Sequence, residues 1–307
     1  MSKRVLKLGT RGSDLATTQS GTVAASLKAA GYEVELSIIR TSGDNNQTAL
    51  FGSIGPQGVF VREIEQALVE GRVDFAVHSF KDLPTTSPAG LVVAAVPQRV
   101  DPADLLLLRR SALARGGRGD WIPLKQGMRV GTASARRRVW LKYYRPDLVI
   151  EPLRGNVPTR VRKLMDGQYD AIVLASAGVA RLQAEQRLGD TGDLSLIRLD
   201  PTLFVPAPAQ GALALQCRSD DAYVLEALRK IDHAASHAAV TAEREALARA
   251  EGGCDVAFGA HCTVERGEHV LRAMIERNGL VHEAAVNGPE PTGLGARVWA
   301  ELDGRRK

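Results

Sequence analysis

Cysteine is scarce in this 307-residue chain: Cys217, Cys254 and Cys262 are the only three. So odd and sparse a set does not build a disulfide framework, and it predicts a reducing, cytoplasmic setting. No Cys-x-x-Cys pair is present, and no metal site is expected. Aromatic residues make up 5% of the chain, which leaves few platforms on which bases could stack. No apolar run reaches the roughly 20 residues of a membrane span; the longest lie near 90–97 and 171–180. The opening Met-Ser-Lys-Arg-Val-Leu-Lys-Leu-Gly-Thr-Arg holds no apolar segment of the secretory kind, so no signal is expected there.

What is present is ordinary in bulk. Hydrophobic residues make up 44% and charged residues 24%, the balance of a water-soluble globular protein. The length suits about two domains of roughly 150 residues, or three smaller ones. The net charge of +5 is compatible with nucleic acid or with any polyanionic ligand. Its placement is more informative. Between Arg129 and Lys163 stand Arg129, Arg136, Arg137, Arg138, Lys142, Arg145, Arg154, Arg160, Arg162 and Lys163, against only Asp147 and Glu151. A solvated basic face explains this as readily as an anion site does. The predominance of arginine, the better bidentate partner of a carboxylate, favours the anion site.

The chain reads as strand, turn and helix in alternation. Val5, Leu6 and Leu8 lead into Gly9-Thr10-Arg11-Gly12-Ser13, where Ser13 suits a helix N-cap and Gly31 the helix end. Val34, Leu36 and Ile38 alternate as a strand does. A Gly-rich loop spans Gly52 to Gly58, then a helix carries Phe60, Ile64 and Leu68 on one face. Val73–Val77 reads as a buried strand that runs into His78-Ser79-Phe80-Lys81-Asp82-Leu83-Pro84. The middle repeats this grammar: Gly131-Thr132-Ala133-Ser134 parallels the first turn, and 167–173 echoes 71–77. Strands separated by helices imply parallel sheets that bind ligands at the strands' carboxyl ends. Ala212–Gln216 is expected to return as a strand to the first domain. One helical stretch is expected over Asp221–Glu251, then short strands turning at Arg266-Gly267 and Asn278-Gly279.

Several residues could do chemistry. Cys254, behind Gly252 and Gly253, is either a packed small hydrophobe or a nucleophile; no neighbouring cation activates it. Cys217 and Cys262 sit in strand-like alternation and belong to the core. Asp82, at a strand's carboxyl end beside Lys81, suits acid/base work, or is simply the Asp of a turn before Leu-Pro. Ser134, Arg136 and Arg137 open a helix, where exposed amides favour anions; two adjacent arginines there are hard to neutralise internally. Arg138 should face solvent. Arg11, Arg154, Arg160 and Arg181 would converge on the same strand ends.

Taken together, Gly9–Ser13, Val77–Pro84, Gly131–Arg137, Leu153–Arg160, Pro208–Ala212 and Glu251-Gly252-Gly253-Cys254 resemble, in order, the motifs of the hydroxymethylbilane synthase (porphobilinogen deaminase) family. The resemblance covers about residues 5–262. It implies an α/β fold of two periplasmic-binding-protein-like (type II) domains facing a cleft, plus a small C-terminal α+β domain. The expected division is 1–99 with 200–217, then 100–199, then 218–307. It further implies a dipyrromethane cofactor on Cys254 through a thioether, and four porphobilinogen molecules joined head to tail with loss of ammonia. Asp82 would be catalytic. Lys81, Asp44, Thr132, Ser134, Arg136 and Arg137 would hold the cofactor. Arg11, Ser13, Arg154, Arg160 and Arg181 would hold substrate. The implied protein is a cytoplasmic monomer with neither nucleic acid nor membrane as partner. Many members carry lysines where this chain has Ser53 and Gln57, and a serine where it has Ala133. A bilobal small-anion-binding protein or a catalytically impaired homologue are the rival readings.

Overall fold

A computed structural model of the chain describes residues 4–39, 56–114, 121–189, 191–250 and 256–304. The chain divides into two compact units, Met1–Val100 with Ala212–Ala238, and Asp101–Gly211 with Ala239–Lys307. The strands are β1 Leu6–Thr10, β2 Val34–Ile38, β3 Phe75–Ser79, β4 Leu91–Ala95, β5 Asp104–Arg109, β6 Arg129–Gly131, β7 Val149–Glu151, β8 Ala171–Ala175, β9 Leu194–Arg198, β10 Leu213–Arg218, β11 Phe258–Glu265, β12 Glu268–Arg277 and β13 Leu280–Gly288. The helices are α1 Asp14–Ala29, α2 Pro56–Val69, α3 Ala135–Tyr144, α4 Val157–Met165, α5 Ser176–Ala184, α6 Ala222–Arg229, α7 Ala234–Ala250 and α8 Leu294–Gly304.

The first unit is a sheet in the order β2-β1-β3-β10-β4. The first three of these are parallel, while β10 runs antiparallel to both its neighbours. The central strands β3 and β10 are buried on both faces, as their continuous apolar runs require. One face packs Val23, Ala24 and Leu27 of α1 and Val224 and Leu228 of α6 against Leu8, Phe75, Val77 and Leu215. The other packs Ile64, Ala67 and Leu68 of α2 against Val73, Ala76 and Leu91. The helix begins at Pro56, inside the segment read as loop. The expected return of the strand after Pro208 is β10.

The second unit repeats the order as β7-β6-β8-β5-β9, with β5 the antiparallel strand. The two sheets therefore show the type II arrangement once each. The repeat extends to single residues. Asp74 precedes β3 and accepts from Lys7 N at 2.8 Å; Asp170 precedes β8 and accepts from Arg129 N at 2.8 Å. A Cβ on Gly9 would lie 3.0 Å from Val73, and one on Gly131 2.8 Å from Tyr169. Those glycines let the third strand's lead-in cross the first strand closely.

The second unit also contains the sheet β11-β12-β13. Its hairpins turn at Arg266-Gly267 and Asn278-Gly279, all four residues at positive φ, the I′ geometry that matches strand twist. With α7 and α8 it encloses a core of its own, including Ala246, Phe258, Leu271, Ile275, Val298 and Leu302. Residues 218–238, expected with a third domain, fall in the first unit.

The single helix expected over 221–251 is two. The break at 230–233 is held by long-range bonds: Asp232 Oδ1 accepts from Val96 N at 2.7 Å and His233 N donates to Val96 O at 2.9 Å.

A buried imidazole in the first unit gives acid sensitivity. His78, on β3, is depressed from 6.5 to about 4, chiefly by burial, with the polar side chain of Gln216 opposing. The unfolded chain takes a proton there from pH 6.5 downward; the folded chain waits until about 4. The stability from the neutral ring is therefore complete above 6.5 and is lost between 6.5 and 4, by up to ~1.4 kcal/mol per pH unit. Nearby Glu65, raised by burial, works in the opposite direction. Urea unfolding at pH 7 and pH 5 should show a smaller acid loss in His78→Gln than in the wild type. Equal losses would assign the effect to other groups.

Candidate active site

In the first unit the ends of β1 and β3 carry the singled-out residues. After β1, Ser13 caps α1, accepting from Ala16 N at 3.4 Å, and buried Thr10 donates to Ala16 O at 3.2 Å. Arg11 between them is half-buried. After β3, Phe80–Asp82 form one 3-10 turn. Phe80 and Leu83 are buried and pin that turn, which leaves Lys81 half-buried and Asp82 exposed. The Asp82 carboxylate has no hydrogen-bond partner among the described residues. Ser79 and Gln19 bond each other through their side chains, at 3.0 and 3.2 Å, behind the turn. Asp44, Ser53 and Cys254 lie outside the described residues, as does the side chain of Gln57.

In the second unit three parallel strands end together. After β6, Thr132 Oγ1 accepts from Ser134 N at 3.2 Å, and Ser134 caps α3 by accepting from Arg137 N at 3.4 Å. After β7, Asn156 caps α4, with Pro158 in its first turn, and Gly155 takes a φ of 117°. Arg160 Nε donates to Gly155 O at 2.7 Å, and Arg154 is exposed. After β8, α5 carries Arg181, whose Nη2 donates to Gly211 O at 3.3 Å.

The expectation that Arg136 and Arg137 are hard to neutralise internally is corrected. Asp104, fully buried at the start of β5, meets both. Its Oδ2 lies 2.8 Å from Arg136 Nη2, and its Oδ1 accepts from Arg137 Nε at 3.0 Å and Nη2 at 2.7 Å. Arg136 also donates to Val205 O at 2.9 Å, and Arg137 to Val173 O at 3.0 Å. Burial alone would raise the Asp104 carboxyl; the two guanidiniums and Gln210 outweigh it and hold it at about 2. Arg138 is exposed, as expected.

Sequence reasoning missed Asp104. The available signal is an acidic residue opening the run Leu105–Leu108, where a buried carboxylate requires a cation.

The electrostatics favour an anionic ligand. Arg136, Arg137, Arg160 and Arg181 are four guanidiniums, and Asp104 is the one carboxylate bonded to any of them among the described residues. Burial lowers the pKa of Arg160, with repulsion from Arg137 adding to it, and burial lowers that of Arg181. A cation taken part-way out of water without a counter-charge is improved by a bound carboxylate. Thr132, Ser134 and the first turn of α3 supply hydroxyls and amides for the same purpose. This donor set fits a group bearing several carboxylates.

Fold and site together define a protein of two α/β units, the second of which gathers arginines at the ends of its parallel strands. The chain belongs to the porphobilinogen deaminase family: residues 6–226 match the family model described as "Porphobilinogen deaminase, dipyromethane cofactor binding domain". A porphobilinogen deaminase of Syntrophobacter fumaroxidans is 43% identical over 277 residues, 90% of this chain and 85% of the relative. That of Brevibacillus brevis is 43% identical over 301 residues, 96% and 93% of the two. That of Sorangium cellulosum is 43% identical over 308 residues, 97% and 98% of the two. No helix among the described residues is long and apolar enough to cross a membrane.

Proposed function

We propose that this chain is a hydroxymethylbilane synthase, a transferase that joins four porphobilinogen molecules head to tail with loss of ammonia and releases the linear tetrapyrrole by hydrolysis. The observation that carries the reading is the excess of half-buried and buried arginine over acid at the strand ends of the second unit. Each added pyrrole brings an acetate and a propionate, so the growing product accumulates negative charge as it lengthens. Arginine is the side chain that grips such groups bidentately.

The residue roles are those the family resemblance implies. Cys254, which follows Gly252 and Gly253, carries the dipyrromethane by a thioether. Bound there, the group supplies a nucleophilic pyrrole carbon to which the first substrate is joined. Lys81, Asp44, Thr132, Ser134, Arg136 and Arg137 hold its carboxylates and ring nitrogens. Arg136 and Arg137 offer to it the charge left over after Asp104, one positive unit shared between two guanidiniums. Arg11, Ser13, Arg154, Arg160 and Arg181 hold the incoming substrate and the lengthening chain. Asp82 does the proton work: it protonates the departing amine as the carbon–nitrogen bond breaks, then takes up the proton released when the new carbon–carbon bond forms. Its exposed carboxylate, free of described partners, is available for both.

The other two cysteines are poor candidates for attachment. Both are buried, and burial pushes Cys217 up to about 11, so neither is a nucleophile. A reducing cytoplasm accords with that thiol pattern.

Intact mass tests the reading. Active protein should weigh more than its sequence by two pyrrole units, and peptide mapping should place the increment on Cys254. A bare-sequence mass on active protein would remove the cofactor assignment.

A further inference from the structure

The second unit contains a buried hydrogen-bond chain that the roles above do not use. It begins at Glu243 on α7, which is fully buried. Glu243 Oε2 accepts from Ala209 N at 2.7 Å, and Oε1 accepts from Cys262 N on β11 at 2.8 Å. The His261 Nδ1 lies 3.4 Å from Oε1. The next residue after Ala209 continues the chain: Gln210 Nε2 donates to Pro102 O at 2.8 Å and to Asp104 Oδ1 at 3.0 Å. Asp104 then holds Arg136 and Arg137. A shorter path runs alongside. Ala260 N of β11 donates to Pro206 O at 3.0 Å, and the preceding carbonyl, Val205 O, accepts from Arg136 and from Trp140 Nε1. A Cβ on Gly259 would lie 2.7 Å from Val205 O, so β11 and this loop touch backbone to backbone.

Two features mark the chain as more than packing. Ala209 sits at φ 59°, a left-handed conformation costing a non-glycine residue about 1 kcal/mol or more, which its surroundings must offset. A buried carboxylate is also a poor choice for stability alone, since an apolar side chain of similar volume often does as well or better. What the carboxylate uniquely offers is direction: two acceptor atoms fixed against two backbone donors from separate segments. Those segments matter because α7 ends at Ala250 and β11 begins at Phe258, with Cys254 midway between them in sequence.

We propose that Glu243 is a positioning residue: acting through Ala209-Gln210 and Asp104, it fixes the frame that carries the anchor cysteine relative to the Arg136–Arg137 guanidinium pair. The proposal rests on the reading that Cys254 bears the dipyrromethane. A misplacement of about 1 Å at such a site costs on the order of a hundredfold in rate.

The test compares each full-length variant in two forms, one from cells that make porphobilinogen and one from cells that do not. The gap between their thermal midpoints reports how well the attached group is gripped. In Glu243→Gln the amide opposes one of the two donors. The gap should shrink by about half or more, and turnover should fall about tenfold with the Michaelis constant for porphobilinogen little changed. Val298→Ala, a cavity in the same C-terminal core, should lower both midpoints together and keep the gap and the turnover per folded molecule. If Glu243→Gln does not fold, Gln210→Met, which cuts the chain one residue on, should show the same narrowed gap. An unaltered gap in the variant that folds, or an equal narrowing in Val298→Ala, overturns the proposal. Wild-type protein without the two-pyrrole increment instead sinks the underlying reading, so the two failures are distinguishable.

Discussion

Asp82→Ala should fold as the wild type does, carry the same two-pyrrole mass increment, and turn over about 10²–10⁴-fold more slowly, the range removed with a positioned general acid–base group. The fold should survive because Asp82 is exposed and the turn around it is fixed by buried Phe80 and Leu83 and by Phe80 N donating to Ala212 O at 3.1 Å. An exposed substitution of this kind shifts stability by roughly 0.5 kcal/mol or less. Asp82→Asn should fall nearly as far, since the amide matches the carboxylate in shape but transfers no proton. Asp82→Glu should recover part of the loss. Ammonia release in a single turnover isolates the step, because it reports carbon–nitrogen cleavage before hydrolysis of the product. Normal single-turnover release by the Asn variant would take Asp82 out of the proton chemistry and leave it a turn former.

That turn illustrates what the sequence made legible. A strand of apolar residues followed by Lys-Asp-Leu-Pro announces a carboxylate at a strand end, and the structure places Asp82 there. Ser13 was readable as a cap because capping is local, decided by three or four neighbouring residues. The internal repeat was readable because its signals, a glycine, an aspartate and a buried strand, recur at fixed spacing. Asp104 was not readable. Its partners Arg136 and Arg137 lie 32 and 33 residues on and Gln210 more than a hundred, so nothing in its neighbourhood says which charge it answers. The same holds for Glu243, which reads as one more charge on a helix until its acceptors are matched to Ala209 and Cys262. The break between α6 and α7 escaped for a related reason: no proline or glycine marks it, and Asp232 is held by the distant Val96. Helix α8 carries Leu294, Val298 and Leu302 at helical spacing; that pattern lay in a stretch with no motif to direct attention to it.

Removing the anchor should have the largest effect of all. Cys254→Ala should abolish the two-pyrrole increment and, with it, tetrapyrrole formation, while Cys217→Ala keeps both. The contrast is informative because the cysteines differ in setting rather than chemistry. Cys217 lies in β10 with its side chain in the first unit's core, and its thiol is pushed up to about 11 by burial; deleting its sulfur leaves a small cavity and a modest loss of stability. Cys254 follows two glycines in the sequence. A chain that binds porphobilinogen but has nothing to join it to should retain the arginine grip, so Cys254→Ala should still bind substrate while forming no product. That pairing, binding kept and product lost, separates an anchor from a structural cysteine, whose loss would lower the thermal midpoint and leave product formation per folded molecule intact. Should Cys254→Ala still yield tetrapyrrole at a measurable rate, the primer must be attached at another residue or not covalently held, and the anchor role of the Glu-Gly-Gly-Cys segment falls with it.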